Sequence, residues 1–226
     1  MADFSVRLSD DDLRSRLESV IDREEKIPRA LEALGPVADR RVVLLDSDSG
    51  LRARQLEAVG ARVSELPGLS AASLPRGLAD AVISCWAGFD GDSPETPGQV
   101  SEAERVLRPG GRLLVVHDYG RDDVSRLLDD EASEGHQVDQ RRRDSWFLLH
   151  DFKLRVLHCW WTFESLEAAH DLLVSAFGRR GTEAAVAMRR PRLEYKVAVY
   201  HRTFGAAPAE EVAASEEGSA TQPEGG

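Results

Sequence analysis

Asp46 closes an apolar run, Arg41-Val42-Val43-Leu44-Leu45, and Ser47, Asp48, Ser49 and Gly50 follow it. Four aliphatic residues in a row read as a strand buried on both faces. In nucleotide-binding α/β domains a cofactor loop sits at the end of such a strand, usually rich in glycine; here aspartate and serine take its place. Asp46 is therefore a candidate ligand, and a helix cap or turn aspartate is the plainer alternative. Asp48 is as readily a cap as a ligand. Two more apolar runs end on residues able to do chemistry. One reaches Ser84, Cys85 and Trp86, and the other reaches His117, Asp118 and Tyr119. An unperturbed imidazole titrates close to neutral pH, so His117 suits a general base, and a satisfied structural histidine fits as well. Trp86 could stack on a flat ring or pack in the core.

Other chemistries find no support. His150, His158 and His170 lack metal-ligand spacing to cysteines or acids, so no metal site is expected. No Gly-x-Ser-x-Gly element or Ser-His-Asp pattern occurs. Gly-x-Gly-x-x-Gly is missing too, which weakens a nicotinamide dehydrogenase reading.

The elements that must position these residues alternate. After Arg41–Asp46, "GLRARQLEAVG" reads as an amphipathic helix closed by Gly60, and "ARVSEL" as a second strand. "LADAVISCWAGF" is a strand, "GQVSEAERVL" a helix stopped by "RPGG", and "RLLVVHDY" a strand. This alternation indicates a parallel sheet with helices on both faces. The chain is then helical to about His150. "FKLRVLHCWWTF" and "LEYKVAVYHRTF" are late strands around the helix "SLEAAHDLLVSAFG", which Gly178 is expected to end. Such strands can pair antiparallel at the sheet edge. One of Trp160 and Trp161 should face the core and the other solvent or a partner. Upstream, Ser9 is expected to cap a first helix and Pro28 to start a second, ended by Gly35-Pro36. The expected divisions are an N-terminal helical cap (1–40), an α/β domain (41–204) and a disordered acidic tail (205–226) with five Glu and no Lys or Arg.

The 226 residues carry a formal net charge of -11, so nonspecific nucleic-acid binding is not expected. The run Arg141-Arg142-Arg143 reads first as a solvated helix face and second as a docking spot for an acidic substrate. No apolar stretch approaches the roughly 18 residues of a membrane span, and the acidic N-terminus is unlike a signal peptide. Cys85 and Cys159 lie in apolar runs, as buried thiols of a reducing compartment would. A cytoplasmic location is the default expectation. Abundant Arg and Ala beside scarce Lys suggest a GC-rich bacterial genome.

"AERVLRPGGRLLVVHDY" resembles the segment of class I S-adenosylmethionine-dependent methyltransferases in which a helix ending Arg-Val-Leu-Arg-Pro-Gly-Gly, here Arg105 to Gly111, feeds the fifth strand. "LADAVIS" with Asp80, preceded by "SLP", resembles the fourth strand of that family, and the late strands match its antiparallel edge pair. The resemblance covers roughly residues 41 to 203. It implies a Rossmann-like doubly wound, mostly parallel sheet with an antiparallel edge pair in an α/β/α sandwich. It also implies S-adenosylmethionine as cofactor and a small-molecule methyl acceptor.

Residue by residue, Asp46 takes the acid position of the cofactor loop, Ser47 and Asp48 fill it, and Gly50 is its last glycine. The loop is then about two residues short. The ribose-binding position after the second strand falls at Pro67, with Glu65 the nearest acid. Ser70 takes the position that commonly faces the adenine amine. Ser84 and Trp86 follow the fourth strand, and His117 and Tyr119 would orient or deprotonate the acceptor. In a competing register, Arg41–Asp46 is the second strand and Asp46 the ribose carboxylate. That register removes a central strand, whereas the first removes only an edge strand and is preferred. The shortened loop, Pro67 and Ser70 also fit a methyltransferase-like module that has lost catalysis; a dinucleotide oxidoreductase is a distant third reading.

Overall fold

The computed structural model describes residues 10–45, 50–69, 74–128 and 134–205. Two helices come first, α1 (Asp11–Glu18) and α2 (Lys26–Leu34). Strand β1 (Arg41–Leu45), helix α3 (Leu51–Ala58), strand β2 (Arg62–Leu66) and strand β3 (Ala79–Cys85) follow. Next come α4 (Thr96–Val106), β4 (Leu107–Asp118), α5 (Asp123–Leu128) and α6 (Glu134–Leu149). The chain closes with β5 (Lys153–Thr162), α7 (Leu166–Ala187) and β6 (Arg192–Thr203).

Among the described residues the strands form one sheet in the order β2-β1-β3-β4-β6-β5. β1 pairs parallel with β2 and β3, β3 with β4, and β6 runs antiparallel between β4 and β5. The fold is a Rossmann-like α/β/α sandwich of the methyltransferase type. β1 lies inside the sheet with β3 beside it, so it is the first strand and the second register is excluded. Among the described residues, the strand without a counterpart is the outermost one of the doubly wound order 3-2-1-4-5. Sequence explains how that loss is tolerated. β2, Arg-Val-Ser-Glu-Leu, is exposed or half-buried throughout, which suits an edge, whereas β1 buries Val42 to Leu45.

Alternation along β1 feeds two cores. Val42 and Leu44 join Leu17, Ile27, Leu31, Leu56, Leu173 and Trp161 on the face covered by α1, α2, α3, α5 and α7. Val43 and Leu45 join Val100, Val106, Phe147 and Tyr200 under α4 and α6. α1 and α2 thus pack into the core of the α/β domain. Trp161 is fully buried and Trp160 half-buried, the expected division.

Local chemistry moves three boundaries. Asp10 caps α1, its Oδ1 accepting from the N–H groups of Asp12 and Leu13; Ser9 lies outside the described residues. α2 starts two residues before Pro28, because the Asp22 carboxylate accepts from the N–H groups of Lys26 and Ile27. Gly178, non-helical with φ 57 and ψ -126, breaks α7 where its end is expected, and a second helical segment follows to Ala187. Farther on, Gly181 packs so tightly that an added Cβ would lie 1.9 Å from the Leu173 carbonyl oxygen, so only glycine fits. At the amino ends of the strands, Asp80 accepts from Arg41 N at 2.8 Å and pairs with Arg108 at 2.9 Å, which ties β1, β3 and the Arg-Pro-Gly-Gly turn together. The expected tail falls, beyond Gly205, outside the described residues.

Candidate functional site

The carboxyl ends of β1, β2, β3 and β4 converge where the strand order reverses, between β1 and β3. Open α/β sheets bind ligands at such a point. Of the residues expected there, Asp46, Ser47, Asp48 and Ser70 lie outside the described residues. Gly50, Glu65, Ser84, Trp86, His117 and Tyr119 are described, and their roles separate.

Gly50 has φ 64, in the left-handed region, and is the N-cap of α3 with no side-chain cap bond. Glu65 stands opposite Leu44 in the β1–β2 ladder and its side chain reaches toward the same turn. A Cβ on Gly50 would lie 4.0 Å from Glu65 Oε2 and 3.3 Å from Arg54 Nη1. An exposed carboxylate and the start of α3 therefore meet beside the end of β1.

Trp86 leaves β3 with φ 52, a left-handed conformation uncommon for a bulky side chain. Three interactions hold it. Its N–H donates to the Val116 carbonyl at 3.0 Å, its Nε1 donates to Asp118 Oδ1 at 2.9 Å, and the Arg52 guanidinium lies 5.9 Å from its ring centre. The ring is half-buried. Ser84 is fully buried, and its hydroxyl donates to the Ala87 carbonyl at 3.0 Å, so it braces the turn behind Trp86.

His117 and Asp118 point to opposite faces of β4. His117 is 5% exposed, and its Nε2 lies 3.0 Å from the Phe89 carbonyl. Burial, followed by the nearby Arg143 charge, lowers its pKa to about 3, so the ring is neutral near pH 7. The carbonyl contact requires the N–H on Nε2. The imidazole thus holds the loop after β3 from beneath. Asp118 accepts from Trp86 and from the Tyr195 hydroxyl, while its carbonyl accepts from Arg143 Nη2 at 2.5 Å. Burial, then the Asp118 carboxylate, keeps the Tyr195 hydroxyl protonated, well above the usual phenol range. Tyr119, half-buried, is anchored by its N–H on the Lys196 carbonyl at 2.8 Å.

Three site residues were missed or read otherwise from the sequence. Asp118 is the hub that positions Trp86. Arg143 is half-buried against Asp118, while Arg141 and Arg142 are exposed, so the basic run is a solvated face at only two of its positions. Arg52 is 3% exposed; its Nη1 donates to Gln55 at 2.7 Å, and its Nε is buried without a hydrogen-bond partner among the described residues. The spacing Arg52–Leu56, one helical turn on a buried face, was the signal available. Below it, burial raises the Asp22 carboxyl above its usual value against the smaller, opposing effects of its backbone bonds and of Arg52.

Among the described residues no group of three His, Cys, Asp or Glu is placed to hold a metal, and no helix is long and apolar enough to cross a membrane. Cys85 and Cys159 are buried, and neither is in a disulfide.

No family model and no curated protein matches the chain. Solved structures do. A candidate methyltransferase from Bacillus halodurans is 14% identical, with a TM-score of 0.47, covering 80% of this chain and 99% of that one. A candidate type II methyltransferase from Anaeromyxobacter dehalogenans is 17% identical, with a TM-score of 0.47, covering 78% and 95%. A candidate sarcosine dimethylglycine methyltransferase from Galdieria sulphuraria is 11% identical, with a TM-score of 0.44, covering 82% and 87%. Likeness at this level is of fold at most. Strand order, strand direction and the position of β1 carry the assignment of this chain to a methyltransferase-type fold.

Proposed function

We propose that this protein binds S-adenosylmethionine at the carboxyl ends of β1 and β3 and transfers its methyl group to a small-molecule acceptor. The observation that carries the reading is the meeting of Glu65 and Gly50 beside the end of an interior β1. When bound, S-adenosylmethionine supplies a methyl group on a positively charged sulfur, open to in-line displacement by an oxygen, nitrogen or carbon nucleophile.

The residues present fit such a ligand. The start of α3 has no side-chain cap, and the orphaned Nε of Arg52 is a buried cationic donor on the same turn. Together they suit the carboxylate of an amino-acid moiety. Glu65 would accept from ribose hydroxyls, with Asp46 alongside, while Ser47, Asp48 and Ser70 would complete the rim. The half-buried Trp86 ring offers a flat face for adenine, and Asp118 fixes that ring. Ser84 and neutral His117 act as positioning residues for the loop from Trp86 to Phe89. Tyr119 remains as the side chain to orient the acceptor. Holding two partners in line supplies much of the rate of a displacement that needs little proton transfer.

Thermal unfolding with ligand tests the reading. S-adenosylmethionine or its demethylated product at about 100 times its Kd should add about 2.7 kcal/mol, or roughly 5–10 °C for a chain of this size. No shift at millimolar ligand would overturn the proposal, and a shift with NAD alone would favour the oxidoreductase.

A further inference from the structure

A second concavity, lined by none of the candidate cofactor residues, is bounded by α5, the half of α7 beyond Gly178 and the start of β6. Its volume is about 830 Å³, within the range of small-molecule sites. Arg126, Arg179, Arg180, Arg189 and Arg192 line it, and among the described lining residues Asp123 and Glu183 are the carboxylates. Among those residues, five cations stand against two carboxylates. The chain as a whole carries -11. Charges on distant surfaces are largely screened beyond about 8 Å at physiological salt, so the lining sets the local potential.

The arginines differ in what holds them. Arg126 pairs with Asp123, and Arg179 with Glu183 at 2.9 Å. The Arg192 guanidinium instead lies 4.2 Å from the centre of the Trp160 ring. An aromatic face fixes a guanidinium without cancelling its charge. Trp160 is the outward member of the tryptophan pair, and this contact gives it a role. Arg180 is braced on the Leu128 carbonyl at 3.1 Å. Leu127, Met188 and Leu193 supply an apolar wall. Arg179, Arg180 and Glu183, on the segment of α7 that follows the Gly178 kink, line the concavity.

We infer that this concavity binds an organic anion: a carboxylate or phosphate head held by Arg192 and Arg189, with an apolar body against Leu127, Met188 and Leu193. Octanoate, octyl phosphate, inorganic phosphate and octanol distinguish head from body in calorimetric titrations. At least one of the two amphiphilic anions should bind saturably at micromolar to low millimolar concentration, and octanol should bind at least about tenfold more weakly. The stronger of the two identifies the head group. Arg192→Ala and the charge reversal of exposed Arg189, Arg189→Glu, should each weaken that anion about tenfold or more, while Arg29→Ala on α2, outside the lining, should leave it unchanged. Asp46→Ala should also leave it unchanged, which separates this site from the cofactor site. Absence of saturable binding of both anions, equal binding of octanol, or unchanged affinity in folded Arg189→Glu would overturn the inference.

Discussion

The two halves of the sheet are built differently. On one side, β1 and β2 are five residues long, and the edge strand is polar and exposed. On the other, β4 and β6 have twelve residues and β5 has ten, and they bury Trp161, Tyr195 and Tyr200 almost completely. The short half carries Glu65 and the turn into α3 at Gly50, and the long half carries Trp161, Tyr195 and Tyr200. A loop can depart from the usual glycine-rich form while its strand stays in place, because the antiparallel half and the helices packed across both faces hold β1 where it is.

That contrast can be broken in several ways. Trp161→Ala, in the long half, should cost about 3–5 kcal/mol, as deletion of a fully buried aromatic does. Val63→Ala on β2 is half-buried and should cost under about 1 kcal/mol. Urea unfolding checks both, and equal costs would contradict the division.

The pH dependence of stability probes the boundary between the halves. Burial lowers the folded-state pKa of His117 to about 3, against about 6.5 for a histidine in an unfolded chain. The unfolded state therefore binds more protons between those values. The contribution of neutral His117 is complete above about pH 6.5 and is lost as pH falls toward 3, on the order of a few kcal/mol. Asp22 and Asp122, both raised by burial, act in the opposite direction, lending stability below their unfolded values that is lost as pH rises through the folded ones. Comparison with His117→Gln cancels those carboxyls, and the variant should lose the acid-side slope of the urea midpoint that the native protein shows. If methyl transfer instead shows an inflection near pH 6.5 that this substitution removes, His117 is a base and not a positioning residue.

Smaller effects follow. Glu65→Ala should weaken binding of the demethylated cofactor about 10- to 100-fold, since hydrogen bonds to a charged acceptor are lost, with little change in the melting temperature of the unliganded protein. Gly178→Ala should cost about 1–2 kcal/mol, because alanine is strained at that φ and ψ, and should weaken anion binding beside α7 more than cofactor binding.

Much of this frame was legible in the chain. Four consecutive aliphatic residues marked β1 as interior, and the polarity of Arg-Val-Ser-Glu-Leu shows afterwards why β2 can be an edge. Arg-Pro-Gly-Gly fixed the turn into β4. The site was legible in place but less so in role. Sequence puts His117, Asp118 and Tyr119 at one strand end, yet their partners come from afar: Phe89 for His117, and Trp86 and Tyr195 for Asp118. Nothing local encodes those pairings, so the burial of His117 against the Phe89 carbonyl and the bonds of Asp118 to Trp86 and Tyr195 come from the fold. Gly178 marked the break in α7, while the helical segment that follows it to Ala187, packed through Gly181 against Leu173, was not read from the chain.

The central claim is that the carboxyl end of β1 holds S-adenosylmethionine despite its shortened, acidic loop. Calorimetric titration of S-adenosylhomocysteine into the native protein and into Asp46→Ala and Glu65→Ala tests it most directly. Micromolar binding by the native protein, abolished in Asp46→Ala and weakened in Glu65→Ala, is the predicted result. No heat at millimolar ligand, or affinity unchanged in both variants, would contradict it.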